Sequence, residues 1–240
     1  MVFRVAGGSG GGGAFVAGYY GSFYYDKGTT LTAQLSNIEV TSMSVASTTD
    51  FASSGNLYIN NEIITYTGKT ATTFTGLTRG VAGTSSATHT SGSAVTSAQI
   101  AAANTVTTVR INTTDISVGV SVVNDTKITF AHAGTYNIQI SAQLINASNS
   151  VDAASIWFSK NGTDIADTCS VVTVPKKDGS TPGAVIVAVN LFVTVAATDY
   201  VELRWSTSTG NSVLVTYPSS TTAPVKPASP ALIVTATQVG

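Results

Sequence analysis

The clearest hydrophobic pattern in the chain runs from Tyr136 to Leu144, where apolar residues occupy every second position. Threonine, asparagine, glutamine and serine occupy the positions between them. Because the side chains of a strand point alternately to opposite faces, this period of two predicts a strand with one buried and one solvated face. Such a strand is typical of an antiparallel two-sheet β-domain.

Short apolar segments separated by turn residues continue through the second half of the chain. Asn161-Gly162 is typical of a type I′ hairpin turn. No segment shows a helical period, so we predict an all-β, antiparallel jelly-roll sandwich. The segment 184–193 is apolar on both faces, which predicts a strand buried between its sheet and a neighbouring subunit. The other strands predicted in this half are 106–111, 119–123, 128–130, 154–160, 171–174, 200–205, 212–217 and 231–239.

Residues 35–98 have a different texture, with shorter apolar segments and more frequent turns. This pattern predicts a small barrel-like β-module. Residues 100–105 are similar in sequence character to residues 29–34. We therefore predict that the module is inserted into a loop of a larger domain. Such an insertion costs little loop-closure entropy. The predicted organisation is a glycine-rich N-terminal arm at 1–17, the first strand of the jelly roll at 18–34, the inserted module at 35–98 and the jelly-roll domain at 99–240.

The arm contains Gly8, Gly10 and Gly13, which match the G-x-G-x-x-G dinucleotide fingerprint. That motif requires a preceding hydrophobic strand, a following helix and an acidic residue about 20 positions later, none of which is present. We therefore predict a flexible anchoring arm that docks on a partner, and no cofactor.

The composition narrows the classes of partner. Charged residues make up 10% of the chain and hydrophobic residues 43%, with a net charge of −1. The mean hydropathy is +0.26. A chain with this balance has no basic footprint for nucleic acid. No apolar run approaches the roughly 20 residues of a membrane span, and no apolar segment of the secretory-signal type follows Met1. We expect a protein made and assembled in a reducing cytoplasm, with no nucleic-acid or membrane partner.

Candidate chemistry is sparse. The chain has two histidines, His89 and His132, and one cysteine, Cys169. We expect both histidines to be solvated loop residues and Cys169 to be a buried or half-buried thiol. Several aspartates precede or follow predicted strands, where aspartate is a good turn residue; they are Asp115, Asp125, Asp164, Asp167 and Asp199. We therefore predict no catalytic, cofactor-binding or metal-binding residue, and no enzyme activity.

Several segments of the chain are recognisable when they are taken together. They are 19–34, 101–104, 111–115, 119–122, 128–139, 157–164 and 199–205. These segments resemble a family of bacteriophage virion proteins common in phages of aquatic bacteria, cyanophages among them. The resemblance covers roughly residues 18–34 and 100–240, and it implies a homotrimeric jelly roll similar to that of the tumour necrosis factor and complement globular-head proteins.

The predicted module also resembles a small β-module that recurs in phage structural proteins. The residues that carry this second resemblance are 51–59, 62–68, 74–80 and His89.

The resemblance implies a homotrimeric virion surface protein, either a capsid decoration or a head fibre, held to other virion proteins by the N-terminal arm. The alternative is a tail-fibre or tail-tip protein that binds host surface polysaccharide, with Tyr217 or Trp157 stacking on sugars. A depolymerase is a third alternative, but no carboxylate pair at glycosidase spacing stands out. The sequence does not distinguish capsid from tail.

Overall fold

A computed structural model describes residues 18–37, 40–222 and 224–240. The fold is all-β, and this described part of the chain contains no helix. The predicted anchoring arm at 1–17 lies outside the described residues. The strands are β1 (Tyr20–Tyr25), β2 (Gly28–Thr30), β3 (Ser42–Ser44), β4 (Gly55–Ile59), β5 (Glu62–Tyr66), β6 (Gly68–Lys69), β7 (Thr73–Thr75), β8 (Ala94–Ile100), β9 (Thr107–Thr108), β10 (Thr113–Val118), β11 (Val120–Val123), β12 (Lys127–Phe130), β13 (Gly134–Asn146), β14 (Asp152–Lys160), β15 (Thr163–Asp164), β16 (Ser170–Val174), β17 (Gly183–Val195), β18 (Tyr200–Thr207), β19 (Ser212–Val215) and β20 (Leu232–Gln238).

Two antiparallel sheets form a sandwich, as predicted. In the first sheet β10, β1, β20 and β13 lie side by side, and β17 pairs with the other edge of β13 over its whole length. In the second sheet the order is β11, β12, β18 and β14, with β16 on the far side of β14. The chain crosses repeatedly from one sheet to the other, which is compatible with a jelly-roll-like fold.

One of these crossings occurs at Gly119, between β10 in the first sheet and β11 in the second. Gly119 has a φ of +69°, and a Cβ at this position would lie 2.4 Å from Tyr19 Cδ1. A side chain is excluded on both counts, because positive φ is strained for L-residues and the space is already filled. The Tyr19 ring in turn stacks on the His132 imidazole, with 3.7 Å between ring centroids.

The sandwich core lies between the two sheets. Along β13 the side chains from Tyr136 to Leu144 alternate as predicted, with the apolar ones at most 4% exposed. From the second sheet, Phe158 and Trp205 are fully buried against them. Burying such side chains contributes roughly 1.5–3 kcal/mol each, so this interface is the main source of stability for the sandwich.

A second core lies within residues 31–95 and includes Leu57, Ile64 and Phe74, all fully buried. The first sheet continues into this region without interruption, because β8 pairs with β19 and β2 along one edge and with β4 along the other. A third apolar cluster joins the two regions and consists of Tyr58, Ile63, Ala98, Ile145, Val213 and Val215. The division at 34/35 and 98/99 remains a prediction.

Among the strands longer than three residues, β8 and β10 were not predicted. The two-residue strands β6 and β15 were also not predicted. Of the predicted strand at 106–111, only Thr107–Thr108 is paired as a strand. Buried Val109 and Ile111 supply the apolar pattern there without continuing the ladder. The Asn161-Gly162 turn has positive φ at both residues, as a type I′ turn requires.

Candidate functional site

The outer face of the first sheet carries almost no charge. Its five strands, β10, β1, β20, β13 and β17, contain a single charged residue, Asp115. Asp115 lies at a β-bulge and accepts a hydrogen bond from the Tyr24 hydroxyl at 3.0 Å. We call the outward-facing side chains of these five strands the uncharged face.

Cross-strand pairing fixes which residues share the uncharged face. Asn137 lies between Phe192 on β17 and Thr237 on β20, and Ser141 lies between Ala188 and Ile233 in the same way. Apolar side chains are concentrated at the two edges of the face, where they are strongly exposed. They are Ile186 (64%) and Phe192 (61%) on β17, and Tyr20 (38%), Ile116 (55%) and Val118 (45%) on β1 and β10.

The outer face of the second sheet is different, because charged residues lie on it. The Lys127 ammonium is 4.3 Å from the centroid of the Tyr200 ring. Arg204 makes ion pairs with Asp164 at 3.1 Å and with Glu202 at 3.7 Å. The two faces of the sandwich therefore present different chemistry: one is uncharged and apolar at its edges, and the other is polar and ionic.

A polar cleft of about 200 Å³ lies where residues 50–56 and 66 meet the sandwich. Tyr25, Phe51 and Tyr66 are among its lining residues, and each is less than 9% exposed. Both tyrosine hydroxyls donate to backbone carbonyls, Tyr25 to Ala98 at 3.2 Å and Tyr66 to Ala52 at 3.0 Å. Burial raises the pKa of each tyrosine to about 12, so both rings stay neutral. We call this feature the junction cleft.

The charges in the junction cleft balance. Arg110 donates to Asp125 at 2.8 Å, and the amide side chain of Gln99 holds the Arg110 backbone by donating to its carbonyl and accepting from its N–H. Lys27 and Asp50 also line the cleft, and their charged groups have no hydrogen-bond or ion-pair partner among the described residues. The cleft thus has two cations, two carboxylates and unused hydrogen-bonding capacity.

A buried ionic cluster lies within residues 62–89. Arg79 contacts both carboxylate oxygens of Glu62, Nε to Oε1 at 2.6 Å and Nη2 to Oε2 at 2.8 Å. His89 Nε2 lies 2.7 Å from Glu62 Oε2, and the backbone N–H groups of Gly80 and Ala87 also donate to this carboxylate. The Glu62 side chain is 1% exposed. Burial alone would raise the pKa of Glu62, but these hydrogen bonds outweigh it and hold the pKa at about 2.

The cluster corrects one prediction from the sequence. His89 is not a solvated loop residue, because its side chain is 1% exposed and bound to Glu62. The guanidinium of Arg79, the imidazole of His89 and two backbone N–H groups all contact the Glu62 carboxylate. These contacts hold the loop from Arg79 to His89 in place. We assign the cluster a structural role, since the carboxylate has no room for a substrate.

The other residues that the sequence analysis considered as candidates for chemistry or sugar binding lie apart from one another. His132 is exposed and stacked on Tyr19. Cys169 is exposed, which corrects the prediction of a buried or half-buried thiol. Tyr217 is half-buried, packs edge-on against Tyr58 and has the Lys226 ammonium 4.7 Å from its ring centroid. The Tyr217 ring is therefore already in contact with two residues of its own chain.

Trp157 is half-buried on the outer face of the second sheet, directly across from Arg204. Asp199 caps the turn beside it: the Asn161 amide and the Ala196 N–H donate to its carboxylate and lower its pKa. Asp199 thus acts as a turn residue, as expected for aspartates beside strands.

Neither a metal site nor a membrane-spanning helix is found in the part of the chain that the structure describes. No group of three or more His, Cys, Asp or Glu side chains there is arranged to hold a metal ion. No helix there is long and apolar enough to cross a membrane. Comparison with known proteins finds no matching family profile and no similar sequence among curated proteins.

Proposed function

We propose that this chain is a non-enzymatic structural protein of a bacteriophage virion, a homotrimeric capsid decoration or head fibre anchored by its N-terminal arm. The observation that carries the proposal is the uncharged face. The exposed apolar residues at its edges, such as Ile186 and Phe192, are open to contact with a neighbouring copy.

A second copy of the same chain is the occupant that fits this face best. Apart from Asp115 on β10, this face carries no charge that would cause like-charge repulsion when it packs against another copy. Its central rows carry Gln139, Thr235 and Thr237, whose side chains both donate and accept hydrogen bonds. An edge strand such as β17 that packs on the face of a neighbour forms a heterologous contact, which closes into a ring when the rotation permits.

The virion setting is supported by the sequence resemblance and by the composition. A chain with 10% charged residues has few groups for specific electrostatic recognition of a mobile partner. A trimer repeated over a particle gains avidity from many weak contacts without strong single ones. Such a protein acts mechanically, by cementing a lattice or projecting from it.

Two measurements test the proposal. Sedimentation of the purified chain at micromolar concentration should give three times the mass of 24.4 kDa. Gold-labelled antibody against residues 35–98 should decorate the heads of intact particles in electron micrographs. A monomer at that concentration would contradict the assembly, and particles without label would contradict the virion setting.

A second candidate function is a tail-fibre or tail-tip protein that binds host surface polysaccharide. The junction cleft favours it, because this cleft is concave and lined by polar groups whose hydrogen-bonding capacity is not used within the described residues. Gold label confined to the tail would favour this candidate over the head protein.

A further inference from the structure

We infer that the junction cleft is a carbohydrate site that holds one pyranose unit of a neutral glycan. The inference deepens the second candidate function. It does not rest on assembly through the uncharged face, because none of the exposed apolar residues of that face lines the cleft.

The balance of positive and negative side chains in the cleft indicates the charge of a suitable ligand. Lys27 and Arg110 would repel a cation, and Asp50 and Asp125 would repel an anion such as a phosphate. A neutral ligand meets no such opposition. The cleft therefore favours an uncharged polar molecule over an ionic one.

The polar groups of the cleft that have no hydrogen-bond partner among the described residues favour a polyhydroxyl ligand. Asn56 and Asn112 use their side-chain oxygens to accept hydrogen bonds within the protein, while their NH₂ groups have no partner among the described residues. Together with the Lys27 ammonium they are donors, and the Asp50 carboxylate is an acceptor. A hydroxyl both donates and accepts, so a ring of hydroxyls can satisfy both kinds of group.

The size and the rigid lining of the cleft favour a single sugar ring. Tyr25, Phe51 and Tyr66 line the cleft but are only 7%, 8% and 3% exposed, so a pyranose would meet their edges rather than their ring faces. Tyr25 and Tyr66 are fixed by their hydroxyl hydrogen bonds, so little side-chain entropy is lost when a ligand binds. The cleft volume of about 200 Å³ is below the roughly 300–1,000 Å³ of sites for drug-sized ligands, and suits one ring rather than an oligosaccharide.

Two neighbouring serines provide a matched pair of variants. Ser53 and Ser54 are both exposed, but only Ser54 lines the cleft. Ser54→Trp should fill the cleft, while Ser53→Trp adds the same side chain beside it. Asp50→Asn removes the free carboxylate with little change in shape, and exposed Asp178→Asn is its control.

The experiment is saturation-transfer NMR of the full chain with methyl α-D-glucopyranoside, methyl β-D-galactopyranoside and N-acetyl-D-glucosamine, with glycerol and inorganic phosphate as comparison ligands. We expect at least one sugar to bind with a Kd on the order of millimolar, as single rings do in small sites. Ser54→Trp should weaken it by about tenfold or more, Asp50→Asn should weaken it less, and Ser53→Trp and Asp178→Asn should leave it unchanged.

Three outcomes would overturn the inference: no transfer to any sugar, equal binding of glycerol or phosphate, or equal sugar binding by the Ser54→Trp variant. The oligomeric state of each sample is measured in parallel by sedimentation. A sugar-binding monomer would contradict assembly through the uncharged face but leave the sugar site standing. A trimer that binds no sugar would overturn the sugar site but leave assembly through the uncharged face standing.

Discussion

Glu62 and Arg79 form a two-pronged ion pair in the interior of the region 31–95. The guanidinium nitrogens of Arg79 lie 2.6 and 2.8 Å from the two carboxylate oxygens of Glu62. The two side chains are 1% and 9% exposed. Glu62 opens β5, whereas Arg79 lies in the loop that follows β7, so the pair ties that loop to the sheet.

Replacing one member of this pair should destabilise the protein strongly. Glu62→Gln keeps the volume but leaves the Arg79 cation buried without its counterion, and such losses cost about 3–5 kcal/mol. Asp164→Asn removes a partner of Arg204 that is 54% exposed, and should change the free energy of unfolding by less than about 1 kcal/mol. Urea unfolding of both variants measures the difference. Similar losses in the two would contradict a special role for the buried pair.

The same carboxylate should make stability depend on acid pH. The folded pKa of Glu62 is about 2, against an ordinary value of 4.5. A carboxylate with a lowered pKa contributes its full stability above the unfolded pKa, and loses it as pH falls through the folded one. The contribution of about 3 kcal/mol should therefore be complete above pH 4.5 and decline towards pH 2.

Free energies of unfolding at pH 7, 4.5, 3.5 and 2.5 would measure this decline. The difference in free energy of unfolding between the parent chain and Glu62→Gln should become smaller from pH 4.5 to pH 3.5 and pH 2.5. A gap that stays constant down to pH 2.5 would show that the carboxylate does not lose its contribution on protonation.

The sequence predicted those strands that have one apolar and one polar face. β13 was recognised because its inner positions are apolar and its outer ones polar. β8 was missed because Thr96, Ser97 and Gln99 are polar yet buried, which removes the alternation. Backbone groups satisfy them: Thr96 donates to the Thr216 carbonyl at 2.6 Å, for example. The hydrophobic pattern alone does not reveal a strand whose buried positions are satisfied by hydrogen bonds.

β10 was missed for the opposite reason. Five of its six side chains are exposed, and a bulge at Asp115 shifts the register, so Ile116 and Val118 fall on the outer face. An edge strand in such a position has no buried face to impose a period of two. Its apolar residues stand out only once the rest of the uncharged face is known.

The buried cluster shows where local sequence stops being informative. Glu62, Arg79 and His89 lie in three separate segments, and 27 residues separate the first from the last. Nothing in the spacing indicates that they meet. The burial of His89 likewise depends on its contact with Glu62 on β5, and no local pattern indicates the exposure of Cys169, so both were predicted wrongly.

Cys169 should react as a surface thiol. It is exposed and is the only cysteine in the chain. Ellman's reagent should therefore titrate one thiol per chain without denaturant, at a rate within about tenfold of that in urea. A thiol that reacts only after unfolding would mean that it is covered, either within the chain or by a neighbouring copy.

Asp152 should be needed to order the turn after β18. Its carboxylate accepts from the Ser208 hydroxyl at 2.7 Å and from the backbone N–H groups of Thr209, Asn211 and Ser212. Burial alone would raise its pKa, but these hydrogen bonds lower it. Asp152→Ala leaves buried donors unpaired and should cost about 2–3 kcal/mol.

Hydrogen exchange of the N–H groups at 209, 211 and 212 measures this loss directly. They should exchange faster in Asp152→Ala, while amides in β13 change only as far as global stability falls. Equal acceleration throughout the chain would indicate a general destabilisation rather than a local one.

Assembly through the uncharged face gives a prediction with a control on the opposite sheet. Phe192→Lys places a charge on an exposed apolar position of β17, within a face that has only Asp115 for a charged neighbour. Val171→Lys introduces the same charge at a position that is 68% exposed on β16, in the second sheet. Both positions are solvent-exposed in the single chain, so both variants should fold.

If copies meet through the uncharged face, Phe192→Lys buries an unpaired ammonium at the contact, which costs several kcal/mol. That variant should sediment as a monomer at concentrations where the parent chain and Val171→Lys remain trimers. Dissociation of Val171→Lys with retention of the Phe192→Lys trimer would place the contact on the second sheet instead. In that case the apolar edges of the uncharged face would be left for a different virion protein.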